Sequence, residues 1–85
     1  QGLISDPKLS RNENYYITDF LVYEIREELY VSDNLGRVMA VKISDGEITE
    51  THCFFQIPIE SICFSPNQSY LALMYASGSC HVVSS

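Results

Sequence analysis

The chain has 85 residues, 46% of them hydrophobic, with five Lys and Arg against eleven Asp and Glu for a net charge of −6. A chain of this length makes at most one small domain with a thin core, and its apolar content separates it from disordered tails. The acidic balance argues against a nucleic-acid surface, which needs clustered cations to displace counterions from phosphates, and no apolar run approaches the length that spans a bilayer.

Residues 1–14 read as a polar loop or linker, interrupted by Pro7 and ending in Ser10, Arg11, Asn12, Glu13 and Asn14. Neither a basic start nor an apolar stretch marks a signal peptide there. From Tyr15 the texture changes to short runs rich in Val, Ile, Tyr and Phe, broken by turn residues. Strands are expected near Thr18–Glu24, Leu29–Ser32, Arg37–Ile43, Glu47–Phe55, Ile59–Ser65, Leu71–Tyr75 and Ser79–Val83, with Glu24–Glu28 a charged loop too short to stand as a helix. The intervening turns have mechanisms. Gly36 closes Asn34-Leu35-Gly36, Asp45-Gly46 is a hairpin signal, Pro66 fixes the second position of a turn beginning at Ser65, and Ser77-Gly78 closes a further hairpin. Connections this short force consecutive strands to pair antiparallel, so the chain reads as a meander.

The chain also repeats. At an offset of 42 residues, the distance from Gly36 to Gly78, Ile59 lies on Ile17, Leu71 on Leu29 and Val83 on Val41. Apolar residues also coincide at Ile62 over Phe20, Phe64 over Val22, Leu73 over Val31 and Cys80 over Val38. A period near 40 to 45 with about four short strands per unit is a signature of propeller blades. Ser61-Ile62-Cys63-Phe64-Ser65-Pro66-Asn67-Gln68-Ser69-Tyr70-Leu71-Ala72-Leu73 resembles the first two strands of a WD-repeat blade. Leu29-Tyr30-Val31-Ser32-Asp33-Asn34-Leu35-Gly36-Arg37-Val38-Met39-Ala40-Val41 is similar to the middle of a WD or NHL-type blade. There is no Trp, no Gly-His before a blade, and Val41-Lys42 and Val83-Ser84 stand where Trp-Asp would close one, so the hydrogen-bond network of WD blades does not carry over.

The resemblance implies an all-β propeller fragment of about two blades, each an antiparallel four-stranded meander. Residues 15–56 form the first blade and 57–85 a second, incomplete one. Two blades cannot close a ring, so the chain reads as one segment of a larger protein or complex. The implied function is a non-catalytic, intracellular scaffold for protein–protein interaction, with no cofactor. Its partners are the remaining blades or other subunits, rather than nucleic acid or membrane. An alternative is part of a six-bladed propeller hydrolase or lactonase with a central metal.

Candidate chemistry is sparse. His52, Cys53, Cys63, Cys80 and His81 are zinc-ligand types, but no spacing matches a finger or ribbon, and neighbours on a strand point to opposite faces. The cysteines are expected as three free thiols, buried as small apolar residues. Asp33, Asp45 and Glu47 sit at hairpin turns, where Asp bonds its own backbone. Asn67-Gln68-Ser69 matches the N-glycosylation pattern, which arises often by chance. Most of the six tyrosines are expected between blades, while Tyr15 and Tyr16 are the candidates for contact with a partner. Val31, Val38, Val41, Ile62, Phe64, Leu71 and Leu73 are the expected core, with Leu71 and Leu73 on one face and Ala72 on the other.

Overall fold

A computed structural model describes residues 14–85; apart from Asn14, the expected polar segment of residues 1–14 lies outside the described residues. The chain folds as seven strands: β1 Ile17–Tyr23, β2 Glu28–Asp33, β3 Arg37–Lys42, β4 Ile48–Cys53, β5 Ile59–Phe64, β6 Tyr70–Tyr75 and β7 Cys80–Ser84. They form two antiparallel meanders, β1-β2-β3-β4 and β5-β6-β7. All seven expected strands are present. The charged loop is shorter than expected, because Glu28 joins β2 and is buried, with its carboxylate accepting a hydrogen bond from the Thr49 hydroxyl at 3.3 Å. Opposite the side chain, β2 continues its ladder by pairing Glu28 with both Tyr23 and Lys42. The fourth strand ends at Cys53, so Phe54 and Phe55 fall in the bend that leads to the second sheet.

The repeat read at an offset of 42 recurs in the strand register. Phe20 pairs with Val31 and Ile62 with Leu73; Leu29 pairs with Val41 and Leu71 with Val83. The first strand of each sheet carries an irregularity at equivalent positions, between Ile17 and Asp19 and between Ile59 and Ser61. Equivalent turns use Gly36 at φ +90° and Gly78 at φ +93°, a conformation that side chains with a Cβ disfavour. Gly46, at φ +75°, closes the β3–β4 hairpin and donates its amide to the Lys42 carbonyl.

The described residues extend 42 × 34 × 15 Å and form two sheets. Their backbones come closest along β1 and β5, with β2 also touching β5. Between them lies the core of Val38, Ile59, Ile62, Leu71, Leu73 and Tyr75, flanked by Leu21, Tyr30, Phe64 and Val83. Full burial of each aliphatic side chain contributes about 1.5–3 kcal/mol. Leu71 and Leu73 face this core, while Ala72 and Met74 take the other side of β6. Val31, Val41 and Phe64 are half-buried rather than buried. For Val31 and Val41 the reason is topological: alternation puts them on the side of the first sheet that carries no second layer.

Candidate interaction surface

Tyr15 and Tyr16 lead into β1, and the β2–β3 turn staples both. The Tyr15 hydroxyl donates to Asp33 Oδ2 at 3.2 Å and accepts from Arg37 Nη2 at 3.2 Å, while the Arg37 guanidinium lies 5.5 Å from the Tyr15 ring centroid. The Tyr16 amide donates to Asn34 Oδ1, and its carbonyl accepts the Asn34 amide. Their roles differ. Tyr15 is half-buried in a polar cluster, whereas Tyr16 is 58% exposed and borders a shallow cleft with Ile17, Pro58 and Ala76.

Asp33 is the centre of that cluster and is fully buried. Its Oδ1 accepts the amides of Leu35 and Arg37 at 3.0 and 2.9 Å, and its Oδ2 accepts Arg37 Nε at 2.8 Å. A buried carboxylate is tolerated only when its lone pairs are matched in this way. The bond to Asp33 holds the Arg37 guanidinium above its ordinary pKa. Asp45 is a turn acid of the ordinary kind, accepting the Glu47 amide at 3.0 Å. Asp33 ends β2, whereas Asp45 and Glu47 share the β3–β4 turn.

His52 and His81 enter an aromatic cluster. His52 stacks 6.0 Å from Phe54, His81 lies 4.9 Å from Phe54 and 5.4 Å from Phe55, and Phe55 meets Tyr75 edge-on at 5.5 Å. His52 Nε2 also bonds Glu50 at 3.0 Å, which lowers the Glu50 carboxyl from its ordinary value. Among the described residues, no group of three or more His, Cys, Asp or Glu side chains gathers in a metal-holding arrangement. All three cysteines are free thiols, as expected, but they are exposed rather than buried. On β5 and β6 the inward positions belong to Ile62, Leu71 and Leu73, which turns Cys63 outward; Cys80, paired with Met74, lies on the same outer face.

A cleft of about 220 Å³ opens where the sheets part, between β3–β4 and β7, lined by Tyr30, Val38, Glu50, His52, Phe54 and Val83 among others. Burial raises the Tyr30 hydroxyl above its ordinary pKa of 10.0, with Arg26 partly opposing. The larger features are the two open faces. On the first sheet, Phe20 is 62% and Val22 46% exposed, beside half-buried Leu29, Val31 and Val41. On the second, Val82 is 57% and Met74 43% exposed, with Cys63, Tyr70 and Cys80 around them. Among the described residues, apolar side chains are thus exposed on the outer face of each sheet.

Sequence reading missed two residues. Asp19, in mid-strand, accepts the Ile62 amide at 3.0 Å and so ties the sheets together. A lone acid between Thr18 and Phe20 in an otherwise apolar strand was the available signal. Glu28, the other, has one buried oxygen without a partner. No protein-family model matches the chain, and no curated protein is significantly similar to it. Among the described residues no helix is long and apolar enough to cross a membrane.

Proposed function

We propose that this chain is two consecutive blades of a β-propeller, the second lacking its outer strand, and that it serves as a non-catalytic, intracellular scaffold whose partners are other blades or subunits. One observation carries the reading: strand pairings, irregularities and glycine turns all repeat at an offset of 42 across two sheets that meet at their first strands and part toward their last. Blades radiating from a common axis have this wedge shape. The apolar open faces support a partner role, since each blade buries both faces on neighbours. Three exposed free thiols suit a reducing compartment.

The experiment places a photo-cross-linking side chain at Phe20 or Val82 in the protein made in its native cell. The scaffold reading expects a discrete cross-link from each position to another polypeptide or to a further sheet of the same one. Absence of cross-links from both positions contradicts it. Calcium should leave the melting temperature unchanged; a calcium-dependent rise would instead favour a metal-centred hydrolase, because a ligand bound only by the folded state stabilises it.

A further inference from the structure

We infer that the outer edge of β7 is a strand-addition site. Its occupant is an extended polypeptide strand, antiparallel to β7, with apolar side chains turned into the cleft beside it. The inference rests on the repeat that carries the reading above, and it concerns an edge rather than a face.

The hydrogen bonds along β7 supply the argument. At the two ends of the β6–β7 ladder the Tyr75 amide bonds the Ser79 carbonyl and the Ser85 amide bonds the Ser69 carbonyl. Backbone groups alternate sides along a strand, so Ser79, His81, Val83 and Ser85 turn theirs to β6. Cys80, Val82 and Ser84 turn theirs outward, and among the described residues nothing pairs with them. Donors and acceptors repeating at every second residue match the backbone of one more strand.

The first sheet shows the same positions filled. Counting back 42 residues from Cys80, Val82 and Ser84 gives Val38, Ala40 and Lys42. At the end of the β2–β3 ladder the Ile43 amide bonds the Glu27 carbonyl, so these three residues turn their backbones away from β2. They turn them to β4. Val38 and Ala40 pair with His52 and Glu50, and the Lys42 amide bonds the Glu47 carbonyl at 2.8 Å. Strand β4 runs antiparallel to β3, which sets the direction of the inferred strand.

The edges also differ in chemistry. Strands β1 and β5 lie against each other, and Asp19 caps the Ile62 amide. Strand β4 carries Glu50, with Glu47 just before it, and charges of this kind keep an edge from pairing. Strand β7 carries no Lys, Arg, Asp or Glu, and His81 turns inward to Phe54 and Phe55. Beside it opens the cleft lined by Tyr30, Val38, Phe54, Leu71 and Val83. A strand added to β7 extends the row of Phe64, Leu71 and Val83, so its alternate side chains enter that cleft.

The test is residue-resolved amide exchange on the protein isolated in the assembly it forms in its native cell. The amides of Cys80, Val82 and Ser84 should exchange at least about tenfold more slowly than those of Thr51 and Cys53, which point away from β3. Exchange as fast as at Thr51 and Cys53, with His81 and Val83 still protected, would overturn the inference. Val82→Pro sets a ring on the outward side and spares the ladder to β6. In that variant Cys80 and Ser84 should lose protection while the Ile62 amide, bonded to Asp19, keeps it. Continued protection of Cys80 and Ser84 there would mean that no strand covers them. Wild-type exchange decides the question even where the variant fails to fold. A photo-cross-linking side chain at Ser84 should reach an extended segment other than β7; capture of β7 from a second copy would contradict the inferred occupant. Slow β7 amides without cross-links from Phe20 and Val82 refute the scaffold reading alone. Free exchange at Ile62, His81 and Val83 refutes both.

Discussion

The carboxylate of Asp19 in β1 crosses to the second sheet and accepts the backbone amide of Ile62 in β5 at 3.0 Å. Strand β5 is the edge of its sheet, so an amide on its free side has no ladder partner and needs one from elsewhere. Asp19 provides it beside the irregularity in each first strand, where the two sheets approach most closely. The bond fixes the relative placement of the sheets, which apolar contacts alone leave free to slide.

Asp19→Ala should therefore destabilise the fold by about 1–2 kcal/mol, below the upper range for bonds to charged groups because the site is partly exposed. Asp19→Asn, which keeps an acceptor oxygen, should cost less. Urea midpoints at equal protein concentration check the ranking, and faster Ile62 exchange in Asp19→Ala locates the effect.

Equivalent glycines should respond unequally. Gly36 and Gly78 share the same positive φ, but a Cβ on Gly36 would strike the Phe55 carbonyl and come within 2.8 Å of the Ile57 carbonyl, while one on Gly78 meets nothing within 4 Å. Gly78→Ala should cost about 1–2 kcal/mol of backbone strain. Gly36→Ala should cost more than that, because the linker between the sheets must also move. Similar losses at the two sites would mean that the Phe55–Ile57 linker does not cross beneath the β2–β3 turn.

Tyr75 is 2% exposed, and its hydroxyl is buried without a partner. Burial, with a smaller contribution from Cys53, raises its pKa above the ordinary 10.0. The folded state thus holds this proton more tightly than the unfolded chain, and the resulting stability is full below pH 10 and is lost as pH rises through the raised value. Tyr75→Phe should unfold at higher pH than wild type. At pH 7 it should be neutral or stabilising by about 1 kcal/mol, since a desolvated, unmatched hydroxyl is removed. Marked destabilisation at neutral pH would reveal a partner for the hydroxyl.

The cysteines offer a chemical probe. Cys53, Cys63 and Cys80 are exposed free thiols and should all react rapidly with an alkylating reagent in dilute folded protein. Cys63 and Cys80, on the open face of the second sheet, should become slower as a partner covers that face, while Cys53 at the end of β4 should not. Peptide mass mapping after a short pulse distinguishes the three.

The strands and turns were legible because their signals are local: Val-, Ile- and Tyr-rich runs, and glycines where φ must be positive. The repeat was legible because equivalent positions keep apolar character even where identity is lost, as at Phe20 and Ile62. Which face would be covered was not legible. A strand apolar on both faces, such as β6 with Leu71 and Leu73 inward and Met74 and Val82's partner Ala72 outward, gives no sign of which side carries the other sheet. The cysteines were misplaced for that reason. Glu28 was missed because a run of four charged residues in five reads as solvent-facing, whereas the ladder carries its last member into β2. Tyr15 and Tyr16 were legible as a pair, but Asp33 and Arg37 lie too far along the chain for adjacency to separate the tied residue from the exposed one.

The central claim is that the two sheets are successive units of one repeat, each meant to lie between like neighbours. Its most direct test is a crystal structure of the chain in the assembly it forms. The account expects a third sheet on the Phe20–Val22 face, in the orientation β5–β7 takes on β1–β4. Phe20 and Val22 facing solvent in a well-folded monomer, or packed against their own symmetry mates, would contradict it.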